Sequence, residues 1–161
     1  MFDAIDQKIL TILQNDARVS NAEIARRLDM AASGIHERIK KLEERGVLLG
    51  TTALVDPVAL DLGLLAFLFV RTEDPVGNDN TARLLADRPE ILEVHHVAGE
   101  DCYLAKVRVK DTAALSTLLK EIGAIPHVRT TRTTVVLEST KETSHLPIFP
   151  VKKPRSKKEL K

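Results

Sequence analysis

Residues 20–46 read SNAEIARRLDMAASGIHERIKKLEERG and predict two short amphipathic helices joined by a tight bend. Ser20 and Glu23 have the spacing of a capping box, which would start the first helix. The apolar periodicity breaks at Asp29, resumes in the second helix and stops at Gly46, a residue suited to a helix C-cap. The second helix is therefore expected to present small, polar and basic side chains to solvent: Ser33, Gly34, His36, Glu37, Arg38, Lys40 and Lys41.

Two interpretations fit this pair of helices. A solvated αα-hairpin explains the periodicity as well as a helix-turn-helix, whose second helix enters the major groove of DNA. The neighbouring segments favour the second interpretation, because residues 6–13 supply a third helix and residues 47–55 have extended character, as in a winged variant. We therefore predict that residues 1–50 form a winged helix-turn-helix domain that binds double-stranded DNA.

Position along the second helix predicts different roles for its exposed residues. A recognition helix contacts base edges chiefly through its first residues, whereas Lys and Arg contacts to phosphates set the register without selecting a sequence. We expect base contacts from Ser33, Gly34, His36 and Glu37, and phosphate contacts from Lys40 and Lys41. Two roles are open for Arg38: a phosphate contact, or an internal ion pair with an acid of the helical core. Ala31, at the expected N-cap of this helix, lacks a capping side chain.

The second half of the chain predicts alternating strands and helices. The expected order is strand 64–72, helix 79–88, strand 91–98, strand 102–110, helix 112–123 and strand 128–138. This β-α-β-β-α-β order is that of a ferredoxin-like fold with an antiparallel sheet, so the predicted fold class is α+β. The predicted domains are the DNA-binding domain 1–50, a linker 51–63, the ferredoxin-like domain 64–144 and a basic disordered tail 145–161.

The first strand of the predicted sheet is apolar on both faces. Because both helices of a ferredoxin-like domain pack on one face, the other face would be left bare. Large exposed apolar surfaces mark contacts with a partner. We therefore predict a homodimer formed by packing one sheet against another.

Composition limits the classes of function. Only 3% of the 161 residues are aromatic and none is Trp, which argues against single-strand binding through stacked bases. The net charge is +1, so affinity for DNA must come from local placement of cations and from several copies acting together. The single cysteine excludes an internal disulfide and fits a reducing compartment. With no apolar signal core or transmembrane run, we predict a cytoplasmic, nucleoid-associated protein without membrane contact.

The carboxyl-terminal tail carries a separate charge signal. Residues 145–161 contain six Lys or Arg and one acidic residue. The basic positions lie among prolines and include Lys152, Lys153, Arg155, Lys157 and Lys158. We expect this tail to be dispensable for folding and to add non-specific affinity for DNA.

The residues predict no catalytic site, metal site or cofactor. His95 and His96 are adjacent on a strand and would point to opposite faces, so they cannot chelate one metal together, even with His127. Cys102 has no identifiable base and is typical of a small packing residue. Neither common glycine-rich phosphate loop occurs.

Several segments, in order, carry a resemblance to a known family. DAIDQKILTILQNDARVSNAEIARRLDM and RIKKLEERGVLLG, followed by VDPVALDLG, VAGEDCYLAKVRV and HVRTTRTTVVLE, resemble the Lrp/AsnC (feast/famine) family of transcriptional regulators. The resemblance implies a DNA-binding regulator whose carboxy-terminal domain dimerises, with dimers joining into octamers or similar rings. A rival interpretation is a metabolite-binding oligomeric sensor or small enzyme whose helical hairpin mediates protein contacts.

A small-molecule site is expected at the contact between dimers. A glycine turn can hold a carboxylate through its N–H groups, and threonine hydroxyls on one strand face can accept from an ammonium, so the two together suit an amino acid. On sequence alone, an ordinary hairpin turn and strand threonines explain these residues better. The resemblance reverses that preference and implies effector binding by Val97, Ala98, Gly99, Glu100, Asp101, Thr131 and Thr133. Cys102 replaces an acid found in many relatives, so the ligand preference is expected to differ.

Overall fold

The structure is a computed structural model that describes residues 3–75 and 77–149. Contacts divide the chain into two compact units. Among the described residues, the first contains 3–53 together with 143–149, and the second contains 54–75 and 77–142. The change from the first unit to the second, between residues 53 and 54, lies inside the predicted linker 51–63.

The first unit is built from three helices. These are α1 (Ala4–Asn15), α2 (Asn21–Leu28) and α3 (Ala32–Glu44). They enclose a core whose buried members are Ile9, Ile24, Ala25, Ile35 and Leu42. The predicted helical pair and the third helix that closes the core are thus confirmed.

The ends of α2 and α3 can be compared with the capping residues that the sequence predicted. The Ser20 hydroxyl accepts from the amide of Glu23 at 3.2 Å, but the Glu23 side chain binds arginines, so only half of the predicted capping box is confirmed. Gly46 has φ +64°, and its amide donates to Glu43 while that of Val47 donates to Leu42. This is a Schellman motif, so the predicted glycine C-cap is confirmed.

The segment after α3 was predicted to be extended, as in a winged variant. Residues 47–56, all of them described, form no strand, and a single 3₁₀ turn follows at Val58–Leu60. An extended segment that has no neighbouring segment to pair with forms no ladder of backbone hydrogen bonds, so it is not a β-strand.

The second unit is a four-stranded sheet with two helices. Its elements are β1 (Leu64–Thr72), α4 (Asn80–Ala86), β2 (Ile91–His96), β3 (Tyr103–Val109), α5 (Thr112–Gly123) and β4 (Val128–Val135). The strand order is β2-β3-β1-β4, with antiparallel pairing throughout. This arrangement is the predicted ferredoxin-like, α+β fold.

The two faces of the sheet have different surroundings. The helix-covered face carries fully buried side chains such as Leu68, Val70 and Val107. Phe67 and Phe69, which alternate with them, are half-buried on the open face. After β4 the chain returns over one part of this face, because Glu142 pairs with Lys106 and Arg108 of β3. The open face is therefore only partly bare.

The tail departs from its prediction over the part that the structure describes. Residues 145–149 were expected to be disordered, yet they lie against α1 and are hydrogen-bonded to two glutamines. The predicted tail cations from Lys152 onward lie outside the described residues. No helix of residues 3–75 and 77–149 is long and apolar enough to cross a membrane.

Candidate DNA-reading helix and effector site

The outward face of α3 is open over most of its length. Ser33, His36, Glu37, Lys40 and Lys41 are exposed, and Gly34 is half-buried. The only ion pair recorded for these lysines within the described chain joins Lys40 Nζ to Glu44 at 3.8 Å. Both of those side chains are mostly exposed, so this contact is too weak to hold Lys40 away from another anion.

The first turn of α3 has no capping side chain and contains a glycine. Ala31 is its N-cap and makes no side-chain capping bond in the described structure. A Cβ added at Gly34 would meet only the methyl group of Met30, at 3.6 Å. The amides of the first turn of α3 therefore have no side-chain cap.

Arg38 is held inside the helical unit. Its Nη1 atom lies 2.9 Å from Asp3 Oδ2 and 2.7 Å from Asp6 Oδ1. Asp3 and Asp6 also form a reciprocal capping box at the start of α1. The amide of Asp6 and the Arg38 guanidinium lower the pKa of Asp3, against a smaller opposing effect of burial. Of the two roles left open for Arg38, the structure shows the internal ion pair.

Two further arginines of this unit form ion pairs with a glutamate. Arg26 and Arg27 contact Glu23 at 2.8 and 2.7 Å, and their hydrogen bonds lower the pKa of Glu23 to about 2. Because this cluster is exposed, water and salt screen it. On this unit, Lys40 and Lys41 are thus better placed than these arginines to meet phosphates.

A groove of about 420 Å³ separates the start of α1 from α3. Its lining includes Asp3, Asp6, Gly34, Glu37, Arg38 and Lys41. The acidic pair at the start of α1 therefore borders the helix face that was predicted to read DNA.

The predicted effector turn joins β2 to β3. The amide of Val97 donates to the Cys102 carbonyl at 3.0 Å, and Gly99 has φ +151°, a conformation that L side chains rarely adopt. Ala98, Gly99 and Glu100 are exposed. Asp101 is instead engaged, because its Oδ2 lies 2.9 Å from Arg132 on β4.

The two threonines of β4 share one face, as their spacing predicts. Thr131 pairs with Val70 and Thr133 with Leu68, so both lie on the helix-covered side and both are half-buried. Arg132 points to the open face, where its guanidinium stacks 4.0 Å above the Phe69 ring. Within one copy, Asp101 therefore reaches β4 through Arg132 and not through the threonines.

A row of side chains links the turn to Thr131 across the sheet. His96 pairs with Tyr103, Tyr103 with Val70, and Val70 with Thr131. The His96 and Tyr103 rings lie 5.2 Å apart. Tyr103 and Thr131 lie on strands that are separated by β1, so their backbones are two strand spacings, or about 10 Å, apart. One small ligand therefore cannot contact both residues directly.

Burial, followed by the charges of Asp74 and Asp79, raises the pKa of Tyr103. Its phenol is therefore neutral around pH 7 and can act as a hydrogen-bond donor. Cys102 is half-buried beside Thr72, whose amide lies 3.5 Å from its sulfur.

Sequence reasoning missed Arg132, Asp3 and His96 as members of these sites. The alternation of side chains along β4 predicts that Arg132 lies on the other face of the sheet from Thr131 and Thr133. Only the fold shows that the Arg132 side chain extends across β1 to Asp101. Asp3 and Asp6 have the spacing of a capping box, so that signal was present in the sequence.

Comparison with known proteins agrees with this architecture. A family model described as the Lrp/AsnC ligand binding domain matches residues 65–146, and a winged helix-turn-helix DNA-binding model matches residues 2–48. The chain belongs to the Lrp/AsnC family. It is a DNA-binding transcriptional regulator with a separate ligand-binding domain.

Relatives of the Lrp/AsnC family match over nearly the whole chain. HTH-type transcriptional regulator FL11 of Pyrococcus horikoshii is 43% identical over 91% of this chain and 96% of its own length. An AsnC family regulator from Agrobacterium tumefaciens superposes with TM-score 0.86 at 30% identity, covering 91% of this chain and 97% of that one. The feast or famine regulatory protein Rv3291c from M. tuberculosis, complexed with L-methionine, has TM-score 0.85 and 32% identity, covering 92% and 99%.

Proposed function

We propose that this regulator reads duplex DNA with the exposed face of α3 and responds to an amino acid bound by its sheet domain. The observation that carries the first part is a braced three-helix unit whose third helix leaves polar and basic side chains free. Ser33, Gly34, His36 and Glu37 face base edges, while Lys40 and Lys41 contact phosphates. Arg38 fixes α3 against α1 and so sets the angle at which the helix is presented.

Replacing both lysines tests the phosphate assignment. Lys40→Ala with Lys41→Ala removes about two counterions per bound unit, so affinity falls on every duplex and the salt slope flattens by about 1.8. Fluorescence anisotropy over a salt series measures both quantities. Lys110→Ala with Lys120→Ala is the matched control, because these lysines are exposed on the other unit. An unchanged slope in the α3 variant would refute the assignment.

The effector site is formed by the turn 97–101 of one copy and the β4 threonines of a neighbouring copy. The separation of these groups within a single sheet supports a composite site, and the M. tuberculosis relative with L-methionine supports an amino acid as the ligand. The exposed backbone around Gly99 binds the ligand carboxylate. Thr131 and Thr133 accept from its ammonium, since Asp101 is already neutralised by Arg132.

Calorimetric titration tests this site. Methionine, leucine, lysine and asparagine are titrated into wild type, Gly99→Val and Thr133→Ala. Ser116→Ala is the control, because Ser116 is an exposed residue of α5. We expect micromolar binding of at least one amino acid, weakened in both site variants and retained in the control. If none binds below millimolar concentrations, the sheet domain has no amino-acid sensing role.

We also propose that two copies of the chain dimerise through the open face of the sheet. Phe67 and Phe69 lie at its centre, and a second copy packed there would remove them from water. Dimers then join into octamers or similar rings. We assign no catalysis to the chain, and its action on DNA places it with the chromosome in the cytoplasm.

A further inference from the structure

Arg132 of β4 joins the turn between β2 and β3 to the open face of the sheet. Its residue pairs with Phe69 of β1, and its guanidinium carbon lies 4.0 Å from the centre of the Phe69 ring. One guanidinium nitrogen lies 2.9 Å from Asp101 Oδ2. Two independent contacts, a cation–π contact and an ion pair, therefore hold this side chain within the sheet domain.

Asp101 depends on Arg132 for its counter-charge. Within residues 3–75 and 77–149, no other cation forms an ion pair with its carboxylate. Arg71 lies two residues after Phe69 on the same face of β1, yet it forms no ion pair in this part of the chain. The Asp101 side chain is 21% exposed, so water screens its charge less than that of a fully exposed acid. Loss of Arg132 would therefore leave an uncompensated carboxylate in the turn.

The charge of this carboxylate matters because Asp101 belongs to the turn that we propose as part of the effector site. A free carboxylate would attract a cationic side chain of a ligand, whereas the pair of Asp101 and Arg132 has no net charge. Arg132 would also repel a second cation brought to the same place, and such repulsion is a common source of specificity. Glu100 is acidic too, but it is exposed, so water and salt screen it.

We propose that Arg132 determines the class of effector: by neutralising Asp101, it disfavours amino acids with a cationic side chain and leaves the site to uncharged ones. The inference rests on the proposed effector site at the turn 97–101 and adds a residue that selects among its ligands. Arg132 needs no contact with the ligand, because it acts through Asp101.

Four variants separate the charge of Asp101 from other effects. Arg132→Gln frees the carboxylate, and Arg132→Lys keeps a cation beside it. Asp101→Asn with Arg132→Gln removes both charges and also lacks the contact with Phe69. Arg129→Gln is the matched control, because Arg129 lies on the same strand, is 57% exposed against 63% for Arg132, and pairs with Glu73 outside the turn.

The probes are lysine and norleucine, since lysine is norleucine with an ammonium added at the end of the side chain. Their α-amino and α-carboxyl groups are identical, so the ratio of their Kd values reports only the effect of the side-chain charge. Calorimetry at two salt concentrations measures this ratio, while circular dichroism and light scattering compare folding and mass.

We expect wild type to prefer norleucine. Arg132→Gln should shift the ratio about three- to tenfold towards lysine, and the shift should shrink at high salt. Arg132→Lys, the double variant and Arg129→Gln should keep the ratio of wild type.

Four results would overturn the inference. Wild type could bind lysine more tightly than norleucine, or Arg132→Gln could keep the wild-type ratio or bind neither amino acid. The shift could also persist in the double variant, or Arg129→Gln could produce it as well. In each case, methionine binding by wild type that is weakened in Gly99→Val would leave the proposed effector site standing. If wild type binds no amino acid, the proposed site fails together with the inference.

Discussion

At the residue scale, the contact between Arg38 and the two aspartates shows how α3 is held. Asp3 and Asp6 lie in the first turns of α1, and Arg38 lies 32 residues beyond Asp6. One guanidinium nitrogen contacts both carboxylates while each aspartate also caps α1. The start of α1 and the middle of α3 are therefore fixed together by one cluster.

Arg38→Met should destabilise the protein because it leaves the Asp6 side chain, which is 11% exposed, without its cation. We expect a loss of about 1–3 kcal/mol in the free energy of unfolding, measured by urea denaturation. Arg38→Lys should lose less, because one ammonium can still reach the two carboxylates. Equal stability of Arg38→Met and wild type would show that the contact is not stabilising.

The same cluster predicts a dependence on pH. Because folding lowers the pKa of Asp3 from 3.8, its contribution to stability is present above pH 3.8 and is lost as the pH falls through the lower folded value. Arg38→Met removes one cause of that lowering. The difference in Tm between wild type and Arg38→Met should therefore be larger at pH 7 and shrink as the pH falls below 3.8. A difference that does not change with pH would contradict this account.

At the element scale, α3 lacks the side-chain cap that α1, α2 and α5 possess. Ala31→Ser should supply a hydroxyl to the first-turn amides and raise the free energy of unfolding by about 1 kcal/mol. Urea denaturation measures the gain, and Ala32→Ser, one residue further on, is the control that should give none. A loss of stability in Ala31→Ser would show that the backbone there cannot accept a cap.

The elements that the sequence predicted well are those with regular periodicity. β1 and the buried stripe of α5, with Leu115, Leu118 and Ile122, follow directly from their apolar spacing. The contact of residues 146–149 with α1 could not be predicted, because this segment has no periodicity and its hydrogen bonds join residues 132 or more positions apart. The Asp101 to Arg132 pair was missed for the same reason, since only the strand order brings them together.

At the scale of the whole molecule, the proposed DNA binding requires several copies. A single unit offers few free cations on α3, whereas two units on adjacent half-sites combine their contacts. The open sheet face, with the half-buried Phe67 and Phe69, is the surface that we propose for pairing. We therefore expect DNA affinity to depend on assembly as well as on the exposed face of α3.

Phe67→Glu should separate the copies, because it places a charge at the centre of the open face. Light scattering should show a lower mass, and DNA affinity should fall as half-sites are no longer bound together. Leu137→Glu is the control, since Leu137 is an apolar residue that is 99% exposed. A folded Phe67→Glu protein of unchanged mass would exclude this face as the dimer surface.

We have proposed that the exposed face of α3 contacts the bases of duplex DNA. The most direct measurement is photo-crosslinking from a benzoyl-phenylalanine placed at His36, using a duplex selected for tight binding, with the same group at Ser116 on α5 as the comparison. We expect an adduct between DNA and the protein labelled at position 36, and none from position 116. Bound DNA that gives no adduct from position 36, or equal adducts from both positions, would contradict it.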